Sequence, residues 1–276
     1  MASKNSVEFV LRPFEGLAGE ADWVALREIV PAATAMVRTR GEYGGRDVVI
    51  VTVLPAGWAA LNRADGALLL ALQGLPASGD ASRDLAANLL AALEVEPGNP
   101  LVHAPVATPG PRLQDVLEPS ETFEVTVHQG FDFWLAPDAD VNAEARASMD
   151  EANATVVPTV KLAGVASAYW CRMGAKEFLR WAMPYDEEKL LDALARLQAR
   201  REATLGAGTR LIGAFRSCGI VVPVWDLVPG TEAADIEEPT VAFQARLDAA
   251  LADDAPLDGN ERRARAGLVS RQLTLR

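Results

Sequence analysis

The sequence predicts an α+β fold built as two similar lobes, with mainly antiparallel sheets flanked by helices. Three observations carry that expectation. Short β-branched runs alternate with segments whose leucines recur every three or four residues. Prolines 97, 100, 105, 109, 111 and 119 break helices and central strands across 97–122, which reads as edge strands and a connection between lobes. Each half then runs through a similar series of elements. Two short matches suggest an internal duplication: Ile29-Val30-Pro31 with Val156-Val157-Pro158, and Gln114-Asp115-Val116 with Trp225-Asp226-Leu227. The expected organisation is an N-terminal lobe over 1–120, a C-terminal lobe over 121–256 and an Arg-rich tail over 257–276.

In the first lobe, Trp23, Leu26 and Ile29 at helical spacing predict a helix over 20–30, ended by Pro31. Strands follow at Thr34–Thr39, Val48–Leu54 and Ala67–Leu72. Asp80 or Ser82 caps a helix that carries Leu85, Leu89 and Leu93 on one face. Leu101–Val106 and Arg112–Leu117 read as extended. In the second lobe, Val141, Ala145, Met149 and Ala152 mark a helix, followed by strands at Thr159–Leu162, Ala166–Met173 and Phe178–Met183. Asp186 caps a helix with Leu190, Leu194 and Leu197 on one face. Leu211–Arg216 and Ile220–Leu227 form a hairpin about Ser217-Cys218-Gly219, and a last helix after Pro239 buries Phe243, Leu247 and Leu251.

Composition narrows the function. With half of its 276 residues hydrophobic, the chain can bury a sizeable core. No apolar run approaches the ~18 residues of a membrane span, and Met1–Ser6 lacks the apolar stretch of a secretory signal. Two cysteines cannot build a disulfide framework, so a cytoplasmic location is expected. The net charge of −12 opposes binding to phosphate backbones and anionic lipid. Five arginines against Asp258 and Glu261 give 257–276 a charge of +3, leaving −15 on the rest.

Catalytic signatures are missing. There is no phosphate-binding G-x-x-x-x-G-K-[ST], no G-x-S-x-G, no H-E-x-x-H and no C-x-x-C, and Gly206-Ala-Gly208 precedes a strand rather than a helix. Asp138-Ala-Asp140-Val-Asn142 imitates the start of a calcium loop, but Ala143 stands where glycine is needed and Met149 where glutamate is. Neither a cofactor nor a metal is expected. Cys171 on a strand, Cys218 at a hairpin tip, and His103 and His128 on extended segments have no assignable partners.

The most distinctive candidate surface is in the second lobe. Alternation puts Trp170 and Arg172 on one face of their strand, and Arg180 joins them if the next strand pairs suitably. Arginine and tryptophan are enriched at binding hot spots; equally, such arginines reach solvent from a half-buried sheet. Trp225, Asp226 and Asp115, from the matched segments, complete the candidate binding set, with Arg262, Arg263 and Arg265 in the tail.

Several segments resemble an uncharacterised actinobacterial family, a domain of unknown function. They are Arg12-Pro-Phe-Glu-Gly-Leu, Asp22-Trp-Val-Ala-Leu-Arg-Glu-Ile-Val-Pro, Ser82-Arg-Asp-Leu-Ala, Gly110-Pro-Arg-Leu-Gln-Asp, Pro158-Thr-Val-Lys-Leu, Tyr169-Trp-Cys, Val224-Trp-Asp-Leu and Glu261-Arg-Arg-Ala-Arg-Ala-Gly-Leu. Members often carry a preceding SEC-C zinc motif, which would lie before Val7; the sequence has no four-ligand Cys/His cluster for it. The resemblance implies a link to protein export or translation-associated quality control and assigns no catalytic residue. The second lobe's order of helix, three strands, helix, two strands, helix is similar to that of type III secretion chaperones, an analogy of fold alone.

These readings lead to a cytoplasmic, non-enzymatic binding or adaptor module for another protein. The alternative is an enzyme or small-molecule binder with a cleft between the lobes that uses Asp115, Asp226, His103 or His128. Nucleic-acid binding through the Arg-rich tail ranks last, because the charge of the body opposes it.

Overall fold

The computed structural model describes residues 7–74, 78–105 and 109–274. It is α+β and divides into two compact units, Met1–Val156 and Val157–Arg276. The boundary therefore falls at 156/157 rather than 120/121. The residues just after 120 return to the first sheet, and the Asn153 side chain accepts the Phe131 N–H at 2.7 Å.

The first unit runs α1 (Glu20–Glu28), β1 (Ala33–Arg38), β2 (Asp47–Val51), β3 (Ala60–Asn62), β4 (Leu68–Ala71), α2 (Ala81–Leu93), β5 (Asn99–Leu101), α3 (Leu113–Val116), β6 (Val125–Val127) and α4 (Ala143–Ala154). Its sheet has the order β5-β3-β4-β2-β1-β6 and is antiparallel except between β2 and β4. The central strands are buried on both faces, which is why Val48–Val51 and Leu68–Ala71 read as near-continuous apolar runs. Val51, Leu54, Leu69 and Ala71 form one cluster, against which Phe133 and Trp134 pack. Helix α2 follows its sequence signals: the Asp80 side chain accepts the Ser82 N–H, and Leu85 and Leu89 are buried.

Two expectations fail here. The segment Arg112–Leu117 is not extended. The Asp115 carboxylate accepts the Arg112 N–H at 2.8 Å, closing the single turn of α3, with Leu113 and Val116 three residues apart and both buried. The expected strand over 101–106 is displaced to β5; Val106 lies outside the described residues.

The second unit runs β7 (Thr159–Lys161), β8 (Ala168–Met173), β9 (Lys176–Trp181), α5 (Glu187–Ala199), β10 (Arg210–Ser217), β11 (Ile220–Asp226), α6 (Ala233–Leu251), α7 (Gly259–Val269) and β12 (Gln272–Thr274). Its sheet order is β12-β10-β11-β9-β8-β7, with only β10 and β12 parallel. The β10–β11 turn places Cys218 and Gly219 at φ 47° and 71°, the left-handed pair that a tight hairpin needs. Trp170, Trp181, Trp225, Leu190, Leu194, Phe243 and Leu247 share one core. Helix α6 starts before Pro239, at Ala233, because the Glu232 N–H is accepted by the Asp235 carboxylate at 2.8 Å and fixes an earlier first turn.

Within the Arg-rich C-terminal segment, the described residues 257–274 form α7 and β12 of the second unit. Leu268 of α7 is buried in the core of the second unit, and β12 extends its sheet; Arg276 lies outside the described residues. Of the two short sequence matches, Ile29–Pro31 and Val156–Pro158 both link a helix to a strand, but the other falls on unlike elements. Gln114–Val116 is helical in α3, whereas Trp225 and Asp226 end strand β11. The sheets differ too, since β2 and β4 are parallel where β9 and β11 are antiparallel.

Among the described residues, no helix is long and apolar enough to cross a membrane. Among them, no group of three or more His, Cys, Asp or Glu residues is placed to hold a metal ion.

Candidate functional site

The first unit holds a groove of about 680 Å³ beside β1, within the range of specific binding pockets. It forms because β6 covers only part of the edge of β1. The β1–β6 register covers Ala33, Thr34 and Ala35, opposite Val127, Thr126 and Val125. The chain meets β1 again where the Glu118 N–H donates to the Arg38 carbonyl and Thr39 bridges Leu117. Between these two points the loop residues Pro119, Ser120, Thr122 and Phe123 line the groove.

Antiparallel pairing fixes what β1 shows to this gap. Ala33 and Thr39 turn their main chains to the β2 side, bonding Thr52 and Arg46, while Ala32 and Arg38 turn theirs to the β6 side, bonding His128 and Glu118. Strand alternation turns the Met36 main chain to this side, where the non-hydrogen-bonded pair Ala35–Val125 brings its N–H to the Glu124 carbonyl and ends the β1–β6 ladder. The Met36 side chain is 57% exposed.

The walls are built by residues distant in sequence. Trp23 of α1 stacks on Phe123 at 4.4 Å between centroids and on Phe14 at 5.8 Å. Gly19 permits this approach: it lies at φ +66°, and a Cβ there would come within 2.8 Å of the Phe123 Cβ. The loop carrying Gly16, Leu17 and Ala18 is tied down at both ends. Arg12 donates twice to Glu20, at 2.9 and 2.6 Å, and the Pro13 carbonyl accepts from both Arg112 and Gln114 at 2.8 Å. Arg40 fastens the end of β1 to α3 through the Gln114 and Leu117 carbonyls.

The charged lining is largely self-paired. Arg38 meets Asp47 at 2.6 Å and Glu118 at 3.8 Å. The lining contains no histidine or cysteine. The geometry can thus offer an aromatic wall, exposed Met36 and a rim of mutually paired charges.

The candidate residues read from sequence do not come together. The β8–β9 register sets Arg180 opposite Tyr169 and Glu177 opposite Arg172, so Arg180 faces away from Trp170 and Arg172. Trp170 and Arg172 do meet, with the guanidinium 5.1 Å from the ring, but Trp170 is buried and Arg172 is engaged by Glu177 and Glu232. The Arg172 guanidinium holds the Glu177 carboxyl below its usual range. Trp225 is fully buried, so it belongs to the core and not to a binding surface. Asp226 pairs with Arg210 at 3.3 Å, and Asp115 caps α3. On α7, Arg262 donates to the Leu257 carbonyl, Arg263 to Asn260, and Arg265 to Asp192 and Glu188.

Cys171 is buried, which pushes its thiol pKa up. His103 is exposed at a smaller pocket with Trp58 and Arg27. His128 shares a hydrogen bond of 2.9 Å with the Thr34 hydroxyl and packs on Phe133 at 5.1 Å. Burial lowers its pKa below the ordinary 6.5, against the opposing pull of Asp132. The fold favours neutral imidazole, so its contribution to stability is complete above pH 6.5 and is lost as the pH falls below it. The thermal midpoint of the wild type should therefore drop more between pH 7 and 5.5 than that of His128→Asn; equal slopes would refute this role.

Sequence reasoning missed Met36, Arg38, Asp47 and Glu118 as site residues and read Trp23 only as helix core. A signal was present: the segments 12–17, 22–31, 82–86 and 110–115, which carry the family resemblance, supply or brace the walls. Ser82 donates to the Gln114 side chain at 2.6 Å, linking two of them. No curated protein and no solved structure matches the chain. A family profile does match residues 13–276, and the chain belongs to that family of unknown function, DUF5926.

Proposed function

We propose that the chain is a cytoplasmic, non-enzymatic binding module for another protein, and that the groove beside β1 is where the partner docks. The observation that carries this reading is the exposed Met36 beside the Trp23–Phe123 stack in a groove of about 680 Å³. Aromatic residues and methionine are enriched at protein interfaces. The pairing of Arg38 with two carboxylates and the absence of histidine and cysteine from the lining favour binding over catalysis. The partners already held by Arg262, Arg263 and Arg265 argue against a nucleic-acid role for α7. The resemblance to actinobacterial proteins with SEC-C motifs supports a client in export or translation-associated quality control.

Selection of a displayed random-heptapeptide library on the full chain tests the reading, with Met36→Arg selected in parallel. The expected result is an enriched motif that binds the wild type at least tenfold tighter than the variant. No enriched motif, or one that binds both alike, would overturn it.

A further inference from the structure

A second cavity, of about 270 Å³, lies in the first unit and shares no lining residue with the groove beside β1. Three segments meet there. The turn ahead of β3 brings Trp58, helix α2 brings Asp84, Leu85 and Asn88, and the chain leaving β5 brings Val102 and His103. Strand pairing sets the place: the Ala59 N–H donates to the Leu101 carbonyl and the Ala71 N–H to the Ala59 carbonyl, which brings the ends of β5, β3 and β4 together. Just before Trp58, Ala56 and Gly57 are left-handed at φ 51° and 71°. An alanine rarely adopts that conformation, and such strain concentrates at functional sites.

The tryptophans supply an internal comparison. Trp23, Trp134, Trp170, Trp181 and Trp225 each donate the indole N–H to a main-chain carbonyl, of Ala18, Val53, Thr231, Ala166 and Ala203 respectively. Trp58 packs against the cluster of Val51, Leu54, Leu69 and Ala71 and stays half-buried, yet among the described residues its indole N–H has no acceptor. The side chains of Asn88 and His103 have no hydrogen-bond partner among them either. The charged lining, by contrast, is engaged. Arg27 donates to the Leu72 carbonyl at 2.8 Å and lies 3.4 Å from Glu28, and Asp84 accepts the Ser78 N–H at 3.0 Å.

The cavity therefore offers neutral groups: an indole donor, an amide that both donates and accepts, and an exposed imidazole, over apolar walls that include the buried Leu85 and Leu72. A primary amide pairs twice with an edge that sets a carbonyl beside an N–H in one plane, and the indole needs a further acceptor. A ring whose N–H lies between two carbonyls meets all of these demands. The volume equals that of about nine waters at ~30 Å³ each, which suits one small ring system.

We infer that this cavity binds a small, uncharged nitrogen heterocycle whose ring N–H lies between two carbonyls, the chemistry of a free pyrimidine base such as uracil. The Asn88 carbonyl accepts the ring N–H, its amide donates to one ring carbonyl, and the Trp58 indole donates to the other.

Uracil and 3-methyluracil, which lacks that N–H, test this on the full chain labelled with nitrogen-15 at its indoles. The Trp58 resonance, assigned by its loss in Trp58→Phe, is expected to move saturably with millimolar uracil while the five other indole resonances stay in place. 3-Methyluracil should bind at least tenfold more weakly, and Asn88→Ala should weaken uracil binding at least tenfold with the thermal midpoint of the unliganded protein kept. A Trp58 resonance that does not respond to uracil overturns the site. Equal binding of the two probes overturns the ligand chemistry, a result that needs no variant to fold, and unchanged affinity in Asn88→Ala overturns the role of the amide.

Discussion

Replacing Asp80 with alanine is expected to destabilise the first unit by about 3–5 kcal/mol, the range found when one partner of a buried ion pair is removed. Its carboxylate has no exposed surface and serves three tasks. It accepts the Ser82 N–H at 3.1 Å as the cap of α2, accepts Arg112 Nε at 2.8 Å, and lies 3.6 Å from Arg83 Nε. Loss of the cap alone costs about 0.5–2 kcal/mol. The larger part arises because Arg112 keeps its charge in a partly buried site with its carboxylate gone. Arg112 also holds the Pro13 carbonyl and so the loop at the groove's wall; peptide binding should weaken along with stability. Asp80→Asn, which can still cap, should fall between wild type and alanine in urea unfolding followed by hydrogen exchange in α2. A loss below about 1 kcal/mol for Asp80→Ala would show that the pair contributes little.

Asp80 also marks how far the sequence could be read. Its role as a helix cap was legible, because a short acceptor before a leucine periodicity is a local signal. Asp186 was legible for the same reason, and its side chain accepts the Lys189 N–H. The ion pair with Arg112 was not, since it joins residues 32 apart and no local pattern encodes it. The groove was hidden in the same way. It depends on where β6 leaves β1, a pairing between positions about ninety residues apart, and β6 at three residues is too short to display alternation. The Trp170 and Arg172 placement succeeded because alternation within one strand is local. Arg180 was misplaced because face-sharing across strands depends on register. The two-residue turn Gly174-Ala175, with Met173 opposite Lys176, sets that register one position away from the one required.

Trp225 shows the same limit in energetic terms, and Trp225→Ala is expected to cost about 3–5 kcal/mol in the second unit. A tryptophan at the end of a strand, followed by an aspartate, looks like an exposed hot spot. The indole is instead enclosed: it meets Phe243 edge to face at 5.1 Å and Trp181 at 6.2 Å, and its Nε1–H donates to the Ala203 carbonyl at 2.9 Å. Truncation removes the ring from this cluster and leaves the Ala203 carbonyl without its donor. Trp225→Phe separates the two effects. It keeps most of the apolar volume and loses the hydrogen bond, so it should cost about 1–3 kcal/mol, the penalty for a buried polar group left unpaired. Urea unfolding read by near-ultraviolet circular dichroism measures both losses. A binding role predicts the opposite pattern, with stability almost unchanged and partner affinity lost. Wild-type-like affinity of Trp225→Phe for a groove-selected peptide, together with its lower urea midpoint, would assign Trp225 to the core and leave recognition to the groove beside β1.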